Sequence, residues 1–232
     1  MKVLGIESSS PVASVALVSE EKLWGEMTLN IGLTHSEQLL PLIDELLRQT
    51  KVELSELGAI AISGGPGSFT GLRIGMATAK GLAQGLNIPI LSIPTLLALS
   101  FQQAARKQLV SPVLNARKNE VYTGLFRFCG EDYQQLEDYQ AVSPHLWAAK
   151  LSEYEESILL TGDGVSFYED IWQEVLREKA EFAPAISRLA RGASVAWLGL
   201  QRLQRGEKDD LFALTPLYIR SSEAERKLAC QK

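Results

Sequence analysis

Residues 64–73, Gly64-Gly65-Pro66-Gly67-Ser68-Phe69-Thr70-Gly71-Leu72-Arg73, are the chain's clearest candidate for binding an anion. They separate an apolar run at 57–63 from a segment whose apolar residues recur at helical spacing. A glycine-rich turn from a buried strand into a helix presents backbone amides and the positive end of a helix dipole to phosphate or carboxylate. Gly64, Gly65 and Gly67 would let the backbone approach, and Ser68 and Thr70 would offer hydroxyls. Arg73, one turn into the helix, would reach an anion with two parallel hydrogen bonds. The same glycines would equally make a tight strand-to-helix turn capped by Ser68 or Thr70, and local chemistry leaves both readings open. No Gly-Lys-Ser or Gly-Lys-Thr closes the segment, which excludes a Walker-type phosphate loop.

Other reactive groups are sparse. His145 has no carboxylate cluster around it, and the positions three and four after His35 are Gln38 and Leu39, so no metal site is expected. No Gly-x-Ser-x-Gly elbow occurs, and neither histidine stands in a recognisable pattern with Ser and Asp, which gives a serine hydrolase no support. Cys129 and Cys230 are too few for a disulfide framework and read as reduced thiols of a cytoplasmic protein. The 28 acidic residues outnumber the 23 basic ones for a net charge of -5, so a stand-alone binder of nucleic acid is disfavoured. Basic residues gather toward the end of the chain, but Glu207, Asp209, Asp210, Glu223 and Glu225 dilute them. No apolar run of about 18 residues indicates a membrane span, and Met1-Lys2 passes into a strand-like segment without a signal-peptide pattern.

The elements around the loop follow from periodicity. Strands are predicted at 3–6, 13–18 and 23–30 as an antiparallel meander, then a helix at 34–49 opened by the capping pair Thr34 and Glu37 and containing Pro41. A buried strand at 57–63, a helix at 72–86, a strand at 88–92 and a helix at 94–107 complete the first half. Strands at 110–116, 121–128 and 133–142 repeat the meander, with Lys118-Asn119 as the first hairpin turn. A strand at 158–161, helices at 167–179 and 186–205 and a segment at 215–219 follow, with 130–157 partly irregular and a polar tail that is expected to be disordered. The repeated order predicts an α/β chain of two lobes, 1–108 and 109–232.

The first helix carries Leu39, Leu40, Leu42, Ile43, Leu46 and Leu47, more apolar surface than one core contact needs. The second carries two rows of small residues, Gly71-Gly75-Ala79 and Ala77-Gly81-Gly85, along which another helix can approach closely. Leu39, Leu42, Leu46, Ala77 and Gly81 are therefore expected at an interface with a partner chain or a second copy.

The segment from Gly64 to Gly75 resembles the signature of the TsaB family. Leu4-Gly5-Ile6-Glu7-Ser8-Ser9, Thr34-His35-Ser36, Asn115-Ala116-Arg117, Glu120-Val121-Tyr122, Gly162-Asp163-Gly164 and Pro216-Leu217-Tyr218-Ile219-Arg220 agree in order, so the resemblance covers nearly the whole chain. It implies an actin/hexokinase-like fold with ribonuclease H-like lobes and mixed sheets flanked by helices. It also implies a non-catalytic subunit of the machinery that makes threonylcarbamoyladenosine in tRNA, partnered by a catalytic paralogue, TsaD, and an ATPase, TsaE. On this reading the chain pairs with itself when alone and meets tRNA only through the complex. No cofactor is bound tightly, with ATP or ADP and magnesium a candidate at the complex interface. Proteins of the actin and hexokinase group open with an Asp that positions magnesium; here Glu7 stands in its place, followed by Ser8-Ser9-Ser10-Pro11 rather than a glycine turn. That departure weighs against the alternatives of an independent ATPase or a small-molecule kinase.

Overall fold

The computed structural model describes residues 1–31 and 35–220. The expected Thr34 cap and the tail beyond 220 lie outside the described residues. The chain opens with strands β1 (Lys2–Glu7), β2 (Ala13–Val18) and β3 (Leu23–Leu29), paired antiparallel as predicted. Helix α1 (His35–Thr50) follows and continues through Pro41. Then come β4 (Leu57–Gly65), α2 (Phe69–Leu86), β5 (Ile90–Pro94) and α3 (Thr95–Phe101). The sheet order is β3-β2-β1-β4-β5, with β4 parallel to β1 and β5 parallel to β4.

The second sheet repeats this plan. Strands β6 (Leu109–Arg117), β7 (Glu120–Cys129) and β8 (Asp132–Val142) form the meander, and β9 (Ile158–Thr161) and β10 (Ala180–Phe182) extend it in parallel, in the order β10-β9-β6-β7-β8. Lys118 and Asn119 form the expected two-residue hairpin turn, with φ of 54° and 60°, the left-handed geometry that matches strand twist. Helices α4 (Pro144–Ser152), α5 (Gly164–Phe167), α6 (Glu169–Leu176) and α7 (Gly192–Gln204) complete the described fold.

Alternation along the strands explains how the first sheet is covered. Leu4, Ile6, Ile60 and Ile62 point into one core with Leu39, Ile43 and Leu46 of α1 and Met76 and Ala79 of α2. Their neighbours on the other face are small, Gly5, Ala59 and Ala61, and there α7 packs with Val195, Ala196 and Leu198. A Cβ on Gly5 would strike the carbonyl of Gly192 and the amide of Ala196, so a bare glycine sets that approach. Thus α7, though it follows the second sheet in sequence, belongs by packing to the first. The same core includes Leu97, Val110, Phe126 and Phe128, joining the two lobes through apolar contact.

Several expectations are corrected. Within 130–157, β8 lies where a strand was expected and 153–157 are irregular, but helix α4, capped by the Ser143 side chain, was not foreseen. The helix expected at 186–205 begins at Gly192, leaving Ile186 88% exposed. Its start is set by tertiary contacts, since half-buried Glu26 on β3 accepts the amide of Ala193 at 3.0 Å and the Arg191 guanidinium, while Ser14 Oγ accepts the amide of Gly192 at 3.0 Å. Of the helix expected at 167–179, residues 169–176 form α6 and 177–179 a 3₁₀ turn, while the separate short α5 ends at Phe167, and the short β10 was not foreseen. Helix α3, expected to reach 107, stops at Phe101.

Candidate functional site

Parallel pairing of β1 and β4, with Ile6 opposite Ile62, brings the turns after both strands side by side. The Ser8-Ser9-Ser10 turn therefore lies against the glycine-rich loop. The Ser68 amide donates to the Ser9 carbonyl at 2.6 Å, and a Cβ on Gly67 would collide with that carbonyl. Gly65 has φ +108°, a conformation open to glycine. Ser68 caps α2, its hydroxyl accepting the Gly71 amide at 3.3 Å, and both Ser68 and Thr70 are exposed. The Gly64 carbonyl accepts the amide of Leu217 at 2.7 Å.

Arg73 is placed by an aromatic pair. Its guanidinium lies 3.9 Å from the centre of the Phe69 ring, and its Nε donates to the Tyr218 hydroxyl at 3.1 Å. The Phe69 and Tyr218 rings are 5.1 Å apart. Sequence reading placed Ser68 and Arg73 beside the loop but missed Ser9 and Tyr218. Both lie within the stretches that carried the family resemblance, yet their contacts span about 60 and 145 residues of chain and leave no local periodicity.

Glu7 ends β1 beside this junction, completely buried. Its carboxylate accepts the Ser9 amide at 2.6 Å, the Ser9 hydroxyl at 2.5 Å and the Ser63 hydroxyl. Burial pushes the Glu7 carboxyl above its ordinary range, against the hydrogen bonds from Ser63 and Ser9 that pull it down. Both carboxylate oxygens are thus taken up within the fold, one by Ser9 and the other by Ser63. Because the folded value is raised, Glu7 contributes stability that is full below the ordinary value near 4.5 and is lost as pH rises through the folded value. Asp163, also raised by burial, contributes with the same sign. Comparison with Glu7→Gln isolates the first: in urea titrations between about pH 4 and 8, the stability of the native protein relative to the variant is expected to fall as pH rises. A difference independent of pH would show that burial does not govern this carboxyl.

His35 Nε2 donates to the Ser10 carbonyl at 2.8 Å, which ties the start of α1 to the same turn. Gln38 and Leu39 are buried. Among the described residues, no cluster of three His, Cys, Asp or Glu side chains is arranged to hold a metal ion.

The proposed interface residues separate into two groups. Leu39 and Leu46 are 1% exposed and Leu42 8%, all three inside the core beneath the first sheet. Their assignment to a partner interface is corrected: the apolar excess on α1 serves a core that reaches both the sheet and α2. Gly71 and Gly75 are likewise internal, lying against the Ser8 carbonyl and hydroxyl. Ala77 and Gly81 are exposed, and a Cβ added at Gly81 or Gly85 would meet no other part of the described fold within 4 Å. Among the described residues the outer row of α2 is therefore open, and Leu40 of α1 is 57% exposed.

Two five-stranded sheets of matching topology, joined by a shared apolar core and flanked by helices, define an actin/hexokinase-like protein. A hexokinase of the ROK type from Thermus thermophilus superposes with a TM-score of 0.50 at 13% identity, covering 87% of this chain and 99% of that one, a likeness of fold alone. YeaZ from Pseudomonas aeruginosa superposes with a TM-score of 0.80 at 28% identity, over 94% of this chain and 99% of YeaZ. Residues 31–228 match the family described as TsaD, tRNA N6-adenosine threonylcarbamoyltransferase. The tRNA threonylcarbamoyladenosine biosynthesis protein TsaB of Bacillus subtilis is 31% identical over 98% of this chain and 97% of its own length, and that of Escherichia coli is 28% identical over 98% of each. The chain belongs to the TsaB family.

Proposed function

We propose that this chain is a non-catalytic scaffold and activator in threonylcarbamoyladenosine synthesis, pairing with a TsaD-like paralogue that transfers the threonylcarbamoyl group to the N6 amine of the adenosine 3′ of the tRNA anticodon. The observation that carries the reading is the outer row of α2. Glycine inside a helix costs up to about 1 kcal/mol relative to alanine, and among the described residues nothing packs against Gly81 or Gly85 to offset this. A partner helix that needs close approach supplies the missing reason. The enclosure of Glu7 by Ser9 and Ser63 fits a subunit that leaves the chemistry to its partner.

A TsaE-like ATPase completes the assembly in this reading, tRNA is met through the complex, and the work is done in the cytoplasm. In the absence of the paralogue the same face pairs two copies of this chain. A nucleotide with magnesium belongs at the interface of the complex, where this chain would offer Gly64, Gly65, Gly67, Ser68, Thr70 and Arg73. Light scattering after size-exclusion chromatography of this protein, the TsaD of the same organism and their mixture tests the proposal. The expected outcome is a heterodimer replacing the separate species, with a buried area of about 800 Å² per partner. Two unmixed peaks at micromolar concentration would refute it.

A further inference from the structure

Residues 209–220 follow a path that touches both lobes. At one end Asp209 is fixed to the edge of the first sheet: its amide donates to the Ile90 carbonyl at 3.0 Å, and its carboxylate accepts the Ser92 amide at 2.6 Å and the Arg202 guanidinium at 3.2 Å. Asp210 then closes a turn by accepting the amides of Phe212 and Ala213 at 2.8 and 3.0 Å, and Leu211 and Leu214 pack on the first core. Farther along, Leu217 donates to the Gly64 carbonyl and Tyr218 lies on Phe69 and Arg73. The last described residue, Arg220, crosses to the other lobe. There its guanidinium pairs with Glu120 at 2.6 Å and donates to the Ala116 carbonyl at 3.3 Å, both at the β6–β7 hairpin.

We propose that this segment is a strap that sets the separation of the two lobes between the glycine-rich loop and the β6–β7 hairpin, and that its Leu217 and Arg220 attachments release together. The inference rests on placement and chemistry. The Asp209 end is held by several hydrogen bonds and an ion pair and is backed by two leucines in the core, so it stays anchored. The distal end holds by the Leu217 backbone bond, the contacts of Tyr218 with Phe69 and Arg73, and the Arg220 bonds to Glu120 and the Ala116 carbonyl, with Leu217 and Tyr218 exposed and no leucine in the core behind them. Weak attachments in series on a short segment open as one unit, because freeing one gives the rest of the segment the conformational entropy of both. Any ligand or partner that turns one lobe against the other must break the Arg220 contact or carry the strap with it.

Hydrogen exchange of the full chain tests this with Arg220→Ala, Glu120→Ala and the double variant. Glu120 belongs to the other lobe and pairs with Arg220, so it reports on transmission along the strap. The Leu217 amide is expected to exchange about tenfold faster in each single variant, and the double variant should match the singles rather than multiply their effects. Amides of β1, β4, β6 and β7 should keep their native rates, which shows that the lobes remain folded. Native exchange at Leu217 in either single variant, or multiplying effects in the double variant, would overturn the strap.

Discussion

Leu46→Asp is expected to unfold the protein. Leu46 lies in α1 with 1% of its surface exposed, packed in the core that includes Leu17, Leu39, Ile60 and Ile62. Gly25 on β3 sits directly opposite, since a Cβ there would come within 3.0 Å of Leu46 Cδ1. Loss of a fully buried leucine side chain alone costs about 2–5 kcal/mol. An aspartate adds the cost of placing a charge among aliphatic groups, or of protonating it there, for a further several kcal/mol. Together these approach the ~5–15 kcal/mol that holds a typical domain together. Circular dichroism and chemical denaturation check the outcome: the variant should show no cooperative transition at neutral pH, while Leu46→Ala should retain one with a lower midpoint. A Leu46→Asp protein as stable as the native chain would mean that α1 does not pack as described.

Ala77→Glu should have the opposite profile, a folded monomer that no longer pairs. Ala77 is exposed on α2, and alanine and glutamate differ by only about a few tenths of a kcal/mol in helix propensity, so the thermal midpoint should scarcely move. At a close helix-on-helix contact the longer charged side chain would have to be desolvated without a counter-charge or would hold the helices apart. Either effect should weaken association with the TsaD paralogue by about 100-fold or more, equivalent to about 3 kcal/mol. Isothermal titration of the two purified proteins reads this directly, with Ala77→Ser as a variant that should bind nearly as the native chain does. Native affinity in Ala77→Glu would move the interface away from the outer row of α2. The two substitutions lie on neighbouring helices that both looked like interface elements in the sequence, and their contrast separates core from surface.

That contrast also shows where reading the sequence stops. Apolar residues at 39, 42, 43, 46 and 47 establish that α1 is a helix with a wide buried face, but periodicity does not say whether the second contact is another chain or the chain's own α2. The structure assigns it inward because β1 from Val3 on and all of β2 are buried, and residues of both strands share one core with α1 and α2. The paired glycine rows of α2 carry the same ambiguity. Gly71 and Gly75 lie against Ser8, whereas a Cβ at Gly81 or Gly85 would meet nothing within 4 Å among the described residues, and composition is identical in the two cases.

By itself the sequence determined the strands other than β10, the two meanders, the Lys118-Asn119 turn and the likeness of the loop to a family signature, because each rests on patterns among residues close in the chain. The start of α7 was decided by tertiary structure: the groups that receive its first amides, Ser14 and Glu26, lie more than 160 residues earlier. The engagement of Arg73 with Tyr218 and of Ser68 with Ser9 was decided the same way, when parallel pairing of β1 with β4 and the return of the C-terminal segment brought distant groups together. Local propensity records the cost of a conformation for a short stretch of chain. It carries no record of which distant hydrogen-bonding group will be waiting at its end, and that is the information on which this site depends.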